Sequence, residues 1–148
     1  MGVLPDENPI AFYLDEEKLQ ALPGETLLQA AQRQGRKIPH LCCKEGLSNE
    51  ANCRACLIEI AGISKLVPAC KYTPSENDRV VSQSGRAERV QQLVVELLAT
   101  EAGGTEYPEF NELGLWRAAL LPKGSRFRAE QGLAKDKSHP AIAFDPNA

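Results

Sequence analysis

Five cysteines lie between Cys42 and Cys70, and the rest of the 148-residue chain contains none. No other feature restricts the fold so strongly. A disulfide-stapled domain spreads an even number of cysteines through its length, whereas this set is odd and local. Clustered thiols of this kind point to metal binding or redox chemistry in a reducing, cytoplasmic compartment. The spacing is Cys42-x10-Cys53-x2-Cys56-x13-Cys70, with Cys43 as an extra. Four thiolates arriving from three separated pieces of chain can close an all-sulfur site, and such sites select zinc or iron–sulfur clusters.

Zinc ribbons usually carry two C-x2-C knuckles. This chain has one, Cys53-Arg54-Ala55-Cys56, and two lone cysteines, Cys42 and Cys70. A [2Fe–2S] cluster suits that asymmetry, because each of its two irons needs two thiolates. The plant-type pattern likewise combines a lone Cys, a C-x2-C pair and a distant fourth Cys. An interaction module stabilised by zinc on four cysteines is the alternative. An oxidised cluster with four thiolates is a dianion and needs donors around it. Backbone N–H groups of a tight loop, with Arg54 or Lys44 nearby, can supply them, and Gly46 eases such a loop.

The remaining composition excludes other classes. A net charge of −3 and a pI near 5.5 argue against nucleic-acid binding. No apolar run approaches the ~18 residues of a membrane span. The start, Met1 to Asn8, lacks the basic and apolar regions of a secretory signal. There is no catalytic triad, phosphate loop or carboxylate pair, so no catalytic site of the chain's own is expected.

Larger apolar residues at every second position make Ile10–Leu14 a strand. Asp15-Glu16-Glu17 then turns the chain into a second strand, Lys18 to Leu22, closed by Pro23-Gly24. Thr26 with Gln29 is a capping-box signature. It opens a helix with Leu27, Ala30, Ala31 and Gln34 on one side and Gly35 just past its end. Leu57–Ile60 is a strand, Ala61-Gly62 a turn, Lys65 to Pro68 a returning strand, and Arg79 to Ser82 another. A second helix is expected over Arg86 to Ala99, capped by Ser84, with Val90, Leu93, Val94, Leu97 and Leu98 on its buried face. Ala102 to Thr105 reads as a linker. Phe110, Leu113, Trp116 and Leu120 mark a short amphipathic helix stopped by Pro122 and Gly124, with Trp116 as a core or interface anchor. The tail, Ser125 to Ala148, is polar, with one weak strand signal at Ala141 to Phe144. The β-β-α-β-β-β-α pattern is an α+β domain over 8–100, followed by a docking extension over 101–148.

Three segments carry a family resemblance. They are Ile38-Pro39-His40-Leu41-Cys42, Asn52-Cys53-Arg54-Ala55-Cys56-Leu57-Ile58-Glu59-Ile60 and Val67-Pro68-Ala69-Cys70. Together with Gly24 to Ala31 and Glu96-Leu97-Leu98, they resemble one N-terminal [2Fe–2S] ferredoxin domain. That domain occurs in the complex I large iron–sulfur subunit, the NAD-linked hydrogenase diaphorase subunit and the NAD-dependent formate dehydrogenase α subunit. The resemblance implies a β-grasp fold over roughly 10–100 and cluster ligation by Cys42, Cys53, Cys56 and Cys70. Cys43 stands where the family often has an aromatic residue and reads as packing.

The family's following segment, His-x3-Cys-x2-Cys-x5-Cys, binds a [4Fe–4S] cluster. Here Thr100 to Glu109 contains neither Cys nor His, so no [4Fe–4S] cluster is expected. Ser138 to Ala148 is similar to the run before the next module of formate dehydrogenase α subunits, and the chain then stops, as a small subunit or a piece of a larger one would. The implied role is relay of single electrons between larger redox subunits, a molybdenum- or tungsten-containing catalytic subunit and an NAD-reducing flavin subunit. His40 reads as a surface or near-cluster residue rather than a Rieske ligand, because four cysteines are already present. His139 reads as structural, and the C-x2-C pair lacks the βαβ setting of a thioredoxin-like couple.

Overall fold

The structure is a computed structural model that describes residues 8–101, 111–121, 124, 126 and 127. The chain divides into two compact units, 1–94 and 95–148. The first unit holds five strands in the order β2-β1-β5-β3-β4, with β1 and β5 parallel and all other neighbours antiparallel. This is the β-grasp, ferredoxin-like sheet.

β1 (Ile10–Leu14) and β2 (Glu17–Ala21) form a hairpin in which Leu14 pairs with Glu17. Only Asp15 and Glu16 remain for the turn, and both take positive φ, +49° and +69°. A two-residue loop of this hand matches the right-handed twist of the strands. Asp15 is held there because its carboxylate accepts hydrogen bonds from the Ser82 backbone N–H (2.8 Å) and hydroxyl (2.5 Å). The second strand therefore starts one residue before the expected Lys18 and ends at Ala21, leaving Leu22 48% exposed. The alternation buries Phe12, Leu14, Leu19 and Ala21.

Helix α1 (Leu27–Arg33) begins in the expected capping box. The Gln29 N–H donates to the Thr26 hydroxyl (3.3 Å), and Thr26 N–H donates to the Gln29 side chain (2.9 Å). Leu27 and Leu28 N–H groups, orphans at any helix start, donate to the carbonyls of Tyr72 (2.7 Å) and Ala69 (3.0 Å). At the other end the Gly35 and Arg36 N–H groups return to Gln32 and Ala31, a Schellman closure that needs the φ of +75° at Gly35. Leu27, Leu28, Ala30 and Ala31 are buried. Gln34, expected on that face, instead caps the helix and turns its amide to β2. It accepts from Gln20 N–H (3.1 Å) and donates to Gln20 O (2.7 Å), which also receives Arg33 (2.7 Å).

β3 (Leu57–Ile60) and β4 (Ile63–Pro68) form a second hairpin, and β5 (Arg79–Val81) lies between β1 and β3. Ile38, Ile58, Ile60 and Val80 join the core that α1 covers. Helix α2 (Gly85–Glu101) starts in the first unit and continues into the second; Ser84 caps it, accepting from Ala87 N–H (3.0 Å). Its buried positions are Ala87, Gln91, Val95, Glu96 and Ala99, while Leu93 and Leu97 are exposed. This corrects the expected face. Gln91 faces inward because its amide donates to the carbonyls of Leu57 (2.9 Å) and Ser82 (3.3 Å). Glu96 is buried because Arg126 meets both its carboxylate oxygens.

In the second unit, α3 (Glu112–Leu120) is capped by Asn111, which accepts from Gly114 N–H (2.7 Å). Gly114 is its buried residue, and Trp116 is half-buried. Phe110, Pro122, the Ala102 to Thr105 linker, His139 and the Ala141 to Phe144 strand signal lie outside the described residues.

Candidate metal centre

The segment from Leu41 to Ala55 joins α1 to β3 without helix or strand. Its entry is fixed by buried Ile38 and by His40, whose Nδ1 meets the Ile38 carbonyl (2.9 Å) and whose Nε2 meets the Gln32 amide (3.0 Å). A carbonyl can only accept, so Nδ1 carries the proton and Nε2 accepts from Gln32. His40 is thus engaged by α1 and its own backbone. Three residues of the segment take positive φ: Gly46 (+79°), Ala51 (+53°) and Arg54 (+57°). The left-handed Arg54 tightens the knuckle, and the Ala55 N–H reaches the Cys53 sulfur at 3.5 Å. Arg54 and Lys44 are both exposed.

The hairpin explains how Cys56 and Cys70, far apart in sequence, meet. Leu57 pairs with Pro68, so Cys56 precedes β3 and Cys70 follows β4 at the same end. The Ala69 N–H donates to the Cys56 carbonyl (3.0 Å). The Cys56 thiol is influenced by Cys70, by both its side chain and its backbone. Cys42 and Cys53 act on one another in the same way, and the backbones of Cys42 and Leu41 favour the Cys53 thiolate. The influence also runs across, from Cys70 to Cys42 and from Cys53 to Cys56, so the four thiols are neighbours. The 56/70 pair is buried, at 1% and 0% exposure, and the 42/53 pair is half-buried. Among the described residues, no three or more His, Cys, Asp or Glu side chains converge on one ion position. All five thiols are free.

The electrostatics differ between the pairs. Burial, opposed by the Cys70 N–H, pushes the Cys56 thiol up to about 12. Burial also raises Cys42. At Cys53 burial is outweighed by the N–H groups of Ala55, Cys42 and Leu41 and by the Cys42 thiol, and its pKa falls. Cys43 is raised by burial and by Cys70, Cys42 and Cys53, and it packs against the core, as a packing residue would. Asn49 gives no sequence signal beyond a polar loop. Its side chain accepts from the Ala51 N–H (3.2 Å) and donates to the Cys70 carbonyl. The carbonyls of Tyr72 and Ala69 that receive α1 are equally invisible in sequence, because main-chain partners leave no side-chain pattern.

The model of the 2Fe-2S iron-sulfur cluster binding domain matches residues 7–85. One component of the NADH-quinone oxidoreductase of Rhizobium meliloti is 34% identical over 89 residues, 60% of this chain and 10% of that protein. The NADPH-Fe(3+) oxidoreductase subunit alpha of Geobacter sulfurreducens is 29% identical over 89 residues, again 60% of this chain and 10% of that one. The NADH-ubiquinone oxidoreductase 75 kDa subunit of Reclinomonas americana is 30% identical over the same share of this chain and 13% of its own length. The chain thus spans about a tenth of these relatives. In a solved structure of an NAD+-reducing [NiFe]-hydrogenase in the H2-reduced state, one chain superposes with a TM-score of 0.73 at 32% identity. That superposition covers 93% of this chain and 60% of the hydrogenase chain.

Proposed function

The chain belongs to the family of 2Fe-2S iron-sulfur cluster binding domains, and from that premise we propose that it relays single electrons within a larger NAD-linked oxidoreductase. Cys42, Cys53, Cys56 and Cys70 are the cluster ligands in this reading. The observation that carries it is the match to the 2Fe-2S cluster binding domain over residues 7–85, a span that holds all four cysteines, with one C-x2-C knuckle and two lone cysteines where a zinc ribbon has two knuckles. When bound, the group supplies reversible one-electron chemistry at a potential near about −400 mV for plant-type clusters.

The chain's own residues do the rest. The Ala55 N–H offers its dipole to the Cys53 sulfur, which suits an anionic group. The buried pair keeps water away, and the half-buried pair leaves a face where a redox neighbour can approach. Residues 8–100 form the cluster domain and 101–148 a docking extension. The absence of Cys and His from Thr100 to Glu109 supports a single cluster without a [4Fe–4S] companion. Five free thiols suit the cytoplasm, and among the described residues no helix is long and apolar enough to cross a membrane.

The parent complex we propose is a formate dehydrogenase, with a molybdenum or tungsten catalytic subunit and an NAD-reducing flavin subunit as neighbours; the Ser138 to Ala148 run supports it. A second reading, an NAD+-reducing hydrogenase, is favoured by the superposition over 93% of the chain. Anaerobic purification with iron and acid-labile sulfide analysis tests the cluster. About two irons and two sulfides per chain are expected, with a red-brown colour and an EPR signal on reduction. A colourless chain holding one zinc and no sulfide overturns it. Metal analysis of the native co-purified complex then separates molybdenum or tungsten from nickel.

A further inference from the structure

The turn after β4 is held from several sides. Ala69 donates to the Cys56 carbonyl at 3.0 Å, the Ala69 carbonyl receives Leu28 of α1 at 3.0 Å, and Lys71 N–H returns to Pro68 at 3.0 Å. The Cys70 carbonyl belongs to a residue of 0% exposure, so it needs a partner within the protein. That partner is the Asn49 amide, 21 residues away in the irregular segment. The other end of the same carboxamide accepts the Ala51 N–H at 3.2 Å, where the backbone runs at a φ of +53°. One side chain therefore shapes the loop between Cys42 and Cys53 and ties it to the backbone of Cys70.

We propose that Asn49 is a positioning residue for the metal centre: by joining the Ala51 turn to the Cys70 carbonyl it fixes the outer sulfur pair relative to the inner one. The inference rests on the ligand set of the proposed function. The chain carries no covalent bond between the Cys42–Cys53 loop and the β3–β4 hairpin other than the peptide chain itself. Because Cys70 is a ligand in that reading, holding its carbonyl also holds the backbone from which that ligand projects. Partners that orient metal ligands typically change metal affinity by about 10–100-fold when removed.

Two substitutions separate the halves of the clamp. Asn49→Asp keeps an oxygen for the Ala51 N–H and loses the donor to Cys70, whereas Asn49→Ala loses both. Glu50→Ala, at the adjacent exposed position, is the control. The full chain is loaded anaerobically, and three quantities are read: iron release to a ferrous chelator, the EPR spectrum of the reduced protein and the far-ultraviolet circular dichroism. Both Asn49 variants are expected to release iron at least about tenfold faster than wild type, with shifted g values and unchanged circular dichroism, while Glu50→Ala matches wild type. Asn49→Asp with wild-type release and g values overturns the proposal, as does Glu50→Ala with the release rate of Asn49→Ala. If Asn49→Ala fails to fold, Asn49→Asp decides alone. A wild-type chain that takes up two irons and two sulfides keeps the functional reading intact whatever the Asn49 variants do, and one that takes up neither overturns both.

Discussion

The β1–β2–α1 half and the Leu41–Ala55 segment are neighbours in sequence but are ordered by different physics. The first buries Phe12, Leu14, Leu19, Leu27 and Leu28 at 0–4% exposure and closes both ends of its helix with hydrogen bonds. Its stability comes from apolar area removed from water, in a pattern of alternate strand positions and helical spacing. The second has no regular ladder, three residues at positive φ and an exposed Leu47, and its Ala55 N–H reaches a sulfur instead of a carbonyl oxygen. If its thiolates hold the proposed cluster, such a loop is completed by that ligand, because ligand binding free energy is then part of the folding free energy. In the proposed reading, one small domain carries an apolar scaffold and, a few residues away, a loop that depends on its bound cluster.

The strongest way to break this contrast is Cys56→Ser. It should abolish or severely weaken cluster retention, so that visible absorption and the EPR signal of the reduced chain are lost. Amide hydrogen exchange should then rise sharply through Leu41–Ala55 and much less in β1, β2 and α1. Uniform loss of protection across both halves would show that they are one cooperative unit. The next effect is Leu28→Ala, which empties a fully buried site and should cost about 2–5 kcal/mol by chemical denaturation. The g values of the folded, loaded fraction should stay those of wild type, and a changed EPR spectrum would mean that α1 tunes the metal centre directly.

The smallest effect concerns the Glu25–Arg33 pair. Its hydrogen bonds from Arg33, with the Leu22 N–H assisting and burial opposing, hold Glu25 below the usual carboxylate value of 4.5. A depressed folded pKa stabilises above the unfolded value and the contribution disappears as pH falls through the folded one. Wild type should exceed Glu25→Gln by about 1 kcal/mol or less at neutral pH. That difference should shrink as the pH is lowered past 4.5, read as the gap between the two denaturation midpoints at each pH. A constant gap would remove the ion pair from the account of the scaffold half.

The same division governs what is legible in the sequence. β1, the Thr26–Gln29 capping box, Gly35 and the β3–β4 turn all declare themselves through local rules, and the structure has them. The cysteine spacing points to a sulfur site because metal chemistry restricts it. The face of α2 escapes periodicity because Gln91 and Glu96 count as polar in any pattern, yet carbonyls of Leu57 and Ser82 and the Arg126 guanidinium satisfy them inside. Asn49 and Gln34 are hidden for the same reason: a side chain's distant backbone partner has no local signature.

The amide of Gln34 imitates a peptide group. It occupies both the N–H and the carbonyl of Gln20 on the outer strand β2, with Arg33 sharing the carbonyl. A foreign strand seeking to extend the sheet on that side would first have to displace three side-chain hydrogen bonds. The domain thus carries its own plug against edge-to-edge growth. Where many such domains crowd together before they meet their proper neighbours, the sheet is protected from polymerising through β2.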